Sequence, residues 1–206
     1  ICSCSGDRTS SNPAIFEKAI AQGREYDAEI QAILARGGRD PLAVYEAVAV
    51  ADIRQAADLL AAVYRRTHTQ DGYVSLEVSP ELAHDAPGTL AEARRLWQEV
   101  DRPNLMIKVP GTRTCLPVIR TLLAEGINVN ITLLFAREAY SLVAEAYLAA
   151  LEERLGKGMP VDRVASVASF FISRIDTLVD KRLDARASAA APTDRARLEA
   201  LKGKIA

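Results

Sequence analysis

The chain has 206 residues, of which 26 are basic and 27 are acidic, so its formal net charge is −1. Hydrophobic residues make up 49% of the chain, and no apolar run approaches the roughly 20 residues that cross a bilayer. This balance gives no electrostatic reason to expect nucleic acid or a membrane as a partner. The length suits one domain over residues 1–206 with a substantial core.

The N-terminal residues and the cysteines favour a cytoplasmic protein. The first seven residues lack the basic start and apolar centre of a signal peptide. Cys2, Cys4 and Cys115 are odd in number, which argues against a disulfide framework. Cys2 and Cys4 do not have a usual zinc-ligand spacing, so no metal ion is expected.

Periodic patterns predict helices and strands that alternate along the chain. Residues 1–8 show no strand pattern, and a short helical segment is predicted near 17–21. Further helices are predicted near 42–64, 89–100, 116–124, 137–155, 173–190 and 194–202. Strands are predicted at 73–78, 104–109, 127–132 and 164–171. On the helix at 137–155, one apolar stripe is expected to face the core, formed by Tyr140, Ala144, Leu148, Leu151 and Leu155.

Alternation of strands and helices with short loops predicts parallel strands with helical crossovers. A doubly wound open sheet and a (β/α)₈ barrel both fit this order. Open sheets covered by helices usually have apolar residues on both faces of their strands, whereas the strands here are apolar on one face and polar on the other. This parity favours a barrel whose mouth is an active site. No G-x-G-x-x-G follows a strand, so dinucleotide binding has no support.

Lys108 lies inside the apolar stretch of residues 104–112, which ends at Pro110 and Gly111. By the period of two, Met106 and Lys108 share one face of the strand. A lysine on a buried strand must be paired, neutralised or used. One explanation is a structural ion pair at the strand end. The other is catalysis, because a neutral lysine amine is the nucleophile that forms Schiff bases with carbonyl compounds.

Four polar residues on three successive strands are predicted to meet near Lys108. Glu77, Lys108, Asn130 and Thr132 all fall on the inward face and near the same strand ends. Each residue taken alone has a structural explanation. Together they supply a Schiff-base lysine, a carboxylate that relays protons through water, and hydrogen-bonding groups that hold this water or a carbinolamine oxygen. That combination suits retro-aldol chemistry, in which the iminium accepts electrons as a carbon–carbon bond breaks.

Five segments make the chain resemble the transaldolase family, in its long bacterial form that is sometimes fused to an isomerase. They are SSNPAIFEKAI (10–20), DGYVSLEVSPELAHDAPGTLAEARRLW (71–97), RPNLMIKVPGT (102–112), GINVNITLLF (126–135) and SVASFFISRIDTLVD (166–180). The resemblance implies a (β/α)₈ barrel of the class I aldolase type that needs no metal or cofactor. It implies transfer of a dihydroxyacetone unit from a ketose phosphate to an aldose phosphate, in the pentose phosphate pathway.

The resemblance also implies a role for seven residues. The catalytic residues would be Lys108 as the Schiff-base lysine, Glu77 as the glutamate that positions the catalytic water, and Thr132, which helps to hold this water. The substrate-binding residues would be Asn12, Asn130, Ser169 and, for phosphate, Arg174. A guanidinium group can bind phosphate through two parallel hydrogen bonds, which supports the last assignment.

Three departures from the family pattern keep other functions open. The family carries an aspartate, the acid/base of cleavage, on a strand before SNPAIF, and Asp7 lies in the wrong context to match it. Residues 113–116 replace the usual loop after the lysine strand. The family also continues beyond residue 206, so an incomplete barrel without its first and last strands is expected. The alternatives are a truncated, impaired homologue and a sugar-phosphate lyase of the class I aldolase type. An open barrel would expose sheet edges, which leaves a homo-oligomer open.

Overall fold

The structure is a computed structural model that describes residues 24, 26–38 and 40–204, together with the backbone of residues 2–4 and 8–10. Its strands form one sheet, in which neighbours follow the order of the chain. The strands are β1 (Cys2–Cys4), β2 (Arg8–Ser10), β3 (Val74–Glu77), β4 (Leu105–Pro110), β5 (Val129–Leu134) and β6 (Ser166–Phe170). β1 is antiparallel to β2, and every pairing from β2 to β6 is parallel.

Helices connect the parallel strands, as the alternating pattern predicts. They are α1 (Asp27–Ala35), α2 (Pro41–Arg66), α3 (Ala86–Val100), α4 (Leu116–Glu125), α5 (Arg137–Gly156), α6 (Ile172–Ser188) and α7 (Pro192–Glu199). Short 3₁₀ turns lie at Pro80–Leu82 and Arg113–Cys115. The predicted order from residue 42 onward is confirmed, with bounds that differ by a few residues. In the part of the chain that the structure describes, no helix is long and apolar enough to span a membrane.

The beginning of the chain differs from the sequence-based expectation. The sequence predicts no strand in residues 1–8. This prediction is wrong, because Cys2–Cys4 forms β1 and Arg8 begins β2. Thr9 pairs with Val74, so β2 takes its place beside β3. A strand of three polar residues has no hydrophobic period to recognise in the sequence. The sequence pattern also does not predict helix α1. The helical segment predicted near 17–21 lies outside the described residues.

The hydrophobic core lies between the outer face of the sheet and its helices. On β4, Leu105, Ile107 and Val109 are fully buried and belong to this core, while Met106 and Lys108 point to the opposite face. The same parity holds on β3 and β5, which add their own alternate apolar side chains to the core: Val74, Leu76, Val78, Val129 and Ile131. The polar side chains of these strands therefore share the inner face of the sheet.

Helix α5 buries a different face from the predicted one. Tyr140, Leu148 and Leu155 of the expected core stripe are exposed, at 48%, 56% and 61%, while Val143 and Ala150 are buried. Apolar residues occur around most of this helix, so the period alone could not say which stripe packs against the sheet. The exposed stripe is consistent with the expectation of self-association, but the oligomeric state stays a prediction.

The buried guanidinium of Arg154 joins α5 to the end of α4. It donates to the carbonyl oxygen of Ala124 at 2.9 Å, and to that of Pro160 through Nε at 2.9 Å and Nη2 at 2.7 Å. Gly126 ends α4 with φ of +91°, and a side chain there would lie 3.0 Å from Arg154 Nη1. Arg154 thus satisfies the Ala124 carbonyl in the last turn of α4, together with the Pro160 carbonyl in the loop after α5.

We expect Arg154→Met to lower the free energy of unfolding by about 2 to 3 kcal/mol, because it leaves buried carbonyl oxygens without a donor. Urea denaturation would measure the change. The control is Arg120→Met, which removes an exposed arginine that pairs with Glu153 at 3.1 Å. Surface pairs of this kind contribute at most about 1 kcal/mol. Equal losses in the two variants would contradict the structural role of Arg154.

Candidate active site

The register of three parallel strands brings the polar residues together. Glu77 on β3 is the pairing partner of Lys108 on β4, and Lys108 is the partner of Asn130 on β5. Thr132 lies two residues further along β5 and is the pairing partner of Pro110. Glu77 ends β3, and Lys108 and Thr132 each lie two residues before the end of their strand. Asn130 lies near the start of β5, and the register brings it level with Lys108. The carboxyl ends of parallel strands meet at one edge of the sheet. Catalytic residues of β/α barrels are found at this edge.

Lys108 and Glu77 form a partly buried ion pair. The lysine Nζ donates to Glu77 Oε2 at 2.9 Å, and the two side chains are 11% and 20% exposed. This contact is the ion pair that a structural role would require. It also places a carboxylate where it can accept a proton from the amine, which must be neutral before it attacks a carbonyl carbon.

A second polar group, built around Asn130, crosses the inner face of the sheet. The buried Asn130 amide donates from Nδ2 to Ser75 Oγ at 3.1 Å, and Ser169 Oγ donates to Asn130 Oδ1 at 2.8 Å. Ser75 is on β3, two strands away from Asn130, and adjacent strands lie about 4.8 Å apart. Side chains two strands apart can meet only where the sheet is concave. The inner face therefore curves around these residues.

Ser75 was not among the residues expected at the site. It has the same parity as Glu77, which places it on the inner face, but parity does not reveal contacts between strands that are not neighbours. The strand pattern therefore predicts on which face of the sheet Ser75 lies. It does not predict the hydrogen bond between Ser75 and Asn130.

The other expected site residues are not joined to the Lys108 ion pair. Thr132 is buried, and among the described residues no hydrogen bond links its hydroxyl to Lys108 or Glu77. Arg174 is exposed in the first turn of α6, where its guanidinium lies 4.7 Å from the centre of the Phe171 ring. That ring stacks on Phe135 at 5.0 Å. Arg174 thus lies near the carboxyl end of β6. Asn12 lies outside the described residues.

Contacts to one carbonyl oxygen join the loops that follow β3 and β4. Thr112 donates through its hydroxyl to the carbonyl oxygen of Ala83 at 2.9 Å, and the buried free thiol of Cys115 contacts the same oxygen at 3.7 Å. Cys115 belongs to residues 113–116, which depart from the transaldolase pattern, and Thr112 directly precedes them. Their contacts show that this departure still produces an anchored loop.

Glu92 on α3 supports the loop that follows Glu77. Its carboxylate accepts the backbone N–H of Ser79 at 3.3 Å. Burial raises the pKa of the Glu92 carboxyl above its ordinary value, although the hydrogen bond from Ser79 and the nearby Arg95 oppose this change. The carboxylate fixes the first residues after the strand that carries Glu77.

A protein-family model described as "Transaldolase/Fructose-6-phosphate aldolase" matches residues 6–202. The chain belongs to this family. Three relatives are "Transaldolase 2" of a Nostoc species (48% identical), "Transaldolase 2" of Nostoc punctiforme (51%) and "Transaldolase" of Thermobifida fusca (50%). Each alignment covers 96% of this chain, and 52%, 52% and 51% of the three relatives, respectively. The chain therefore spans about half the length of these relatives.

Membership in the transaldolase family assigns the chain to the (β/α)₈-barrel class. The described residues supply strands β2 to β6, which are parallel and follow one another around a concave sheet. Together with the helical crossovers, these strands agree with the barrel expected from the sequence.

A bulge interrupts β5 directly after Thr132. The pairing with β6 shifts between Ile131 and Leu134, and Leu133 has φ of +64°. A left-handed conformation at a residue with a Cβ atom costs roughly 1–2 kcal/mol. Leu133 is 44% exposed, so burial of its side chain offsets little of this cost. Such bulges are frequent next to active sites, where they redirect a side chain.

We expect Leu133→Gly to leave the free energy of unfolding unchanged or to raise it by up to about 1 kcal/mol, because glycine adopts this conformation without strain. Leu133→Val should lower it, since a β-branched side chain is least tolerated there. The control is Leu59→Gly on the exposed face of α2, which should cost about 1 kcal/mol of helix stability. Equal losses from the two glycine variants in urea denaturation would show that Leu133 stores no strain.

Proposed function

We propose that this protein is a transaldolase, which moves a dihydroxyacetone unit from a ketose phosphate to an aldose phosphate through a Schiff base on Lys108. The observation that carries the proposal is the partly buried Lys108 amine, held 2.9 Å from the Glu77 carboxylate in a chain of this family. The proposal includes action in the cytoplasm, as part of the pentose phosphate pathway, and residues 1–206 as one structural unit.

The chemistry would begin with attack of the neutral Lys108 amine on the ketose carbonyl carbon. Loss of water gives an iminium ion at C2 of the ketose. As a base removes the C4 hydroxyl proton, the C3–C4 bond breaks, its electron pair forms the C2=C3 bond of an enamine, and the aldose leaves. The remaining three-carbon enamine then adds to the acceptor aldehyde, and hydrolysis frees the lysine. Glu77 would move protons to and from the carbinolamine oxygen through water. Asn130, Thr132 and Ser169 would hold the water and the substrate oxygens.

An impaired homologue is the second candidate. Its support is that no residue of 1–8 matches the family's aspartate, the acid/base of carbon–carbon cleavage. Such a protein would form the Schiff base with a ketose and cleave it slowly. A third candidate, a lyase, would release the three-carbon product without an acceptor, whereas a transferase would turn over only when an aldose phosphate is present.

The proposal predicts a three-carbon adduct on Lys108 after incubation with fructose 6-phosphate and reduction with borohydride. Peptide mapping by mass spectrometry would locate the modified residue. Lys108→Met should abolish the adduct because methionine has no amine. Lys157→Met should keep it, since that exposed lysine pairs with Glu153 at 2.8 Å on the surface.

Two other results of this trapping experiment would overturn the transaldolase proposal. A six-carbon adduct on Lys108 would mean that the amine reacts and cleavage stalls, as expected for the impaired homologue. Absence of any adduct, also with smaller ketones, would mean that the ion pair of Lys108 and Glu77 is only structural.

Arg174 would bind the substrate phosphate. We expect Arg174→Ala to raise the KM for fructose 6-phosphate by roughly 10-fold to 100-fold, as for loss of a hydrogen bond between charged groups. Trapping of unphosphorylated dihydroxyacetone on Lys108 should stay unchanged. Lys181→Ala is the matched control, because it removes a positive charge from the same shallow groove on α6. Equal effects of the two variants would indicate a general loss of positive charge in place of a phosphate contact.

A further inference from the structure

We infer that Ser75 is a positioning residue that fixes the orientation of the Asn130 amide, so that Asn130 offers an N–H donor to the substrate bound at Lys108. This inference rests on the proposed function. It adds a residue to the site and specifies which end of the Asn130 side chain contacts the substrate.

The first step is the burial of Ser75 and Asn130. Ser75 on β3 is 4% exposed, and Asn130 on β5 is 7% exposed. Strand β4, which carries Lys108, lies between these two strands. A polar group that is buried without a hydrogen bond is costly, so the partner of each amide atom matters. Asn130 can satisfy its amide only through residues that reach it across the concave inner face.

The second step is the direction of the hydrogen bonds. Ser169 donates to Asn130 Oδ1 at 2.8 Å, and Asn130 Nδ2 donates to Ser75 Oγ at 3.1 Å. A hydroxyl on each side therefore holds one end of the amide. Rotation of the amide by half a turn would bring its NH₂ group to Ser169 and its oxygen to Ser75, so both hydroxyl protons would have to be redirected.

The third step is the group that remains available. A primary amide has two N–H donors, and only one of them is used by Ser75. Among the described residues, no second acceptor contacts Asn130 Nδ2. Asn130 and Lys108 are pairing partners on adjacent strands, so their side chains leave the same face of the sheet side by side. An N–H donor at that place suits an oxygen that becomes more basic during the reaction, such as a carbinolamine or hydroxyl oxygen.

The task inferred for Ser75 thus differs from that of Asn130. Asn130 would contact the substrate, and Ser75 would act through Asn130. A residue that acts in this way affects the transition state more than ground-state binding, because misorientation of a donor reduces the fraction of productive complexes.

The test is a double-mutant cycle on turnover with Ser75→Ala and Asn130→Ala. Ser75→Ala should lower kcat roughly tenfold with little change in KM, as for loss of one oriented hydrogen bond. In the Asn130→Ala background, Ser75→Ala should cause no further loss. Ser75→Thr, which keeps the hydroxyl, should restore most of the turnover. Ser166→Ala makes the same chemical change on the opposite face of the sheet, and should leave kcat unchanged.

Additive effects of Ser75→Ala and Asn130→Ala would overturn the inference, because Ser75 would then act independently of Asn130. A second readout does not depend on turnover. The side-chain NH₂ protons of Asn130 should exchange slowly with water in the unmodified protein and faster in Ser75→Ala, as followed by nuclear magnetic resonance. If Lys108 forms no adduct but this exchange difference is present, the proposed function fails and the positioning role stands. If exchange does not differ, the positioning role fails.

Discussion

The register between β3, β4 and β5 is the constraint on which the site depends. Glu77, Lys108 and Asn130 are aligned because their strands pair at those residues. Side chains alternate between the two faces of a strand, so a slip of one residue would turn Lys108 into the hydrophobic core. Leu105, Ile107 and Val109 prevent this slip, since each would have to leave its fully buried position. The core thus stabilises the fold and also sets the alignment of the polar residues.

Curvature of the sheet is the second requirement. In a flat sheet, Ser75 and Asn130 would be separated by an intervening strand, and their side chains would stand parallel to each other. The 3.1 Å hydrogen bond between them shows that the inner side chains converge. Convergence brings the Asn130 amide and the hydroxyl groups of Ser75 and Ser169 together on the inner face, which also carries Lys108 and Glu77. The same bending belongs to barrel closure, so the fold class and the assembly of the site have one physical origin.

Much of this arrangement could be predicted from residue patterns. The period of two placed Lys108 and Glu77 on the inner face, and the helical period located most of the helices. The patterns did not predict strand β2, because three polar residues are too few to show a period. They also did not predict which face of α5 is buried, because apolar residues occur around most of that helix. They also could not reveal the contact of Ser75 with Asn130, because it depends on curvature. The phosphate-binding role proposed for Arg174 rests on family resemblance, since an exposed arginine on a helix has no pattern that specifies phosphate.

The polar interior helps to separate a catalytic explanation of Lys108 from a purely structural one. An ion pair with a structural role needs only its two charged partners. Here the interior also holds Ser75, Asn130 and Thr132, at positions that barrels usually fill with branched apolar residues. Burial of these polar groups is unfavourable unless they are hydrogen-bonded, and apolar residues would stabilise the sheet without that requirement. The hydrogen bonds from Asn130 to Ser75 and from Ser169 to Asn130 are therefore the arrangement expected if the Asn130 side chain is held in a fixed orientation toward a reacting molecule.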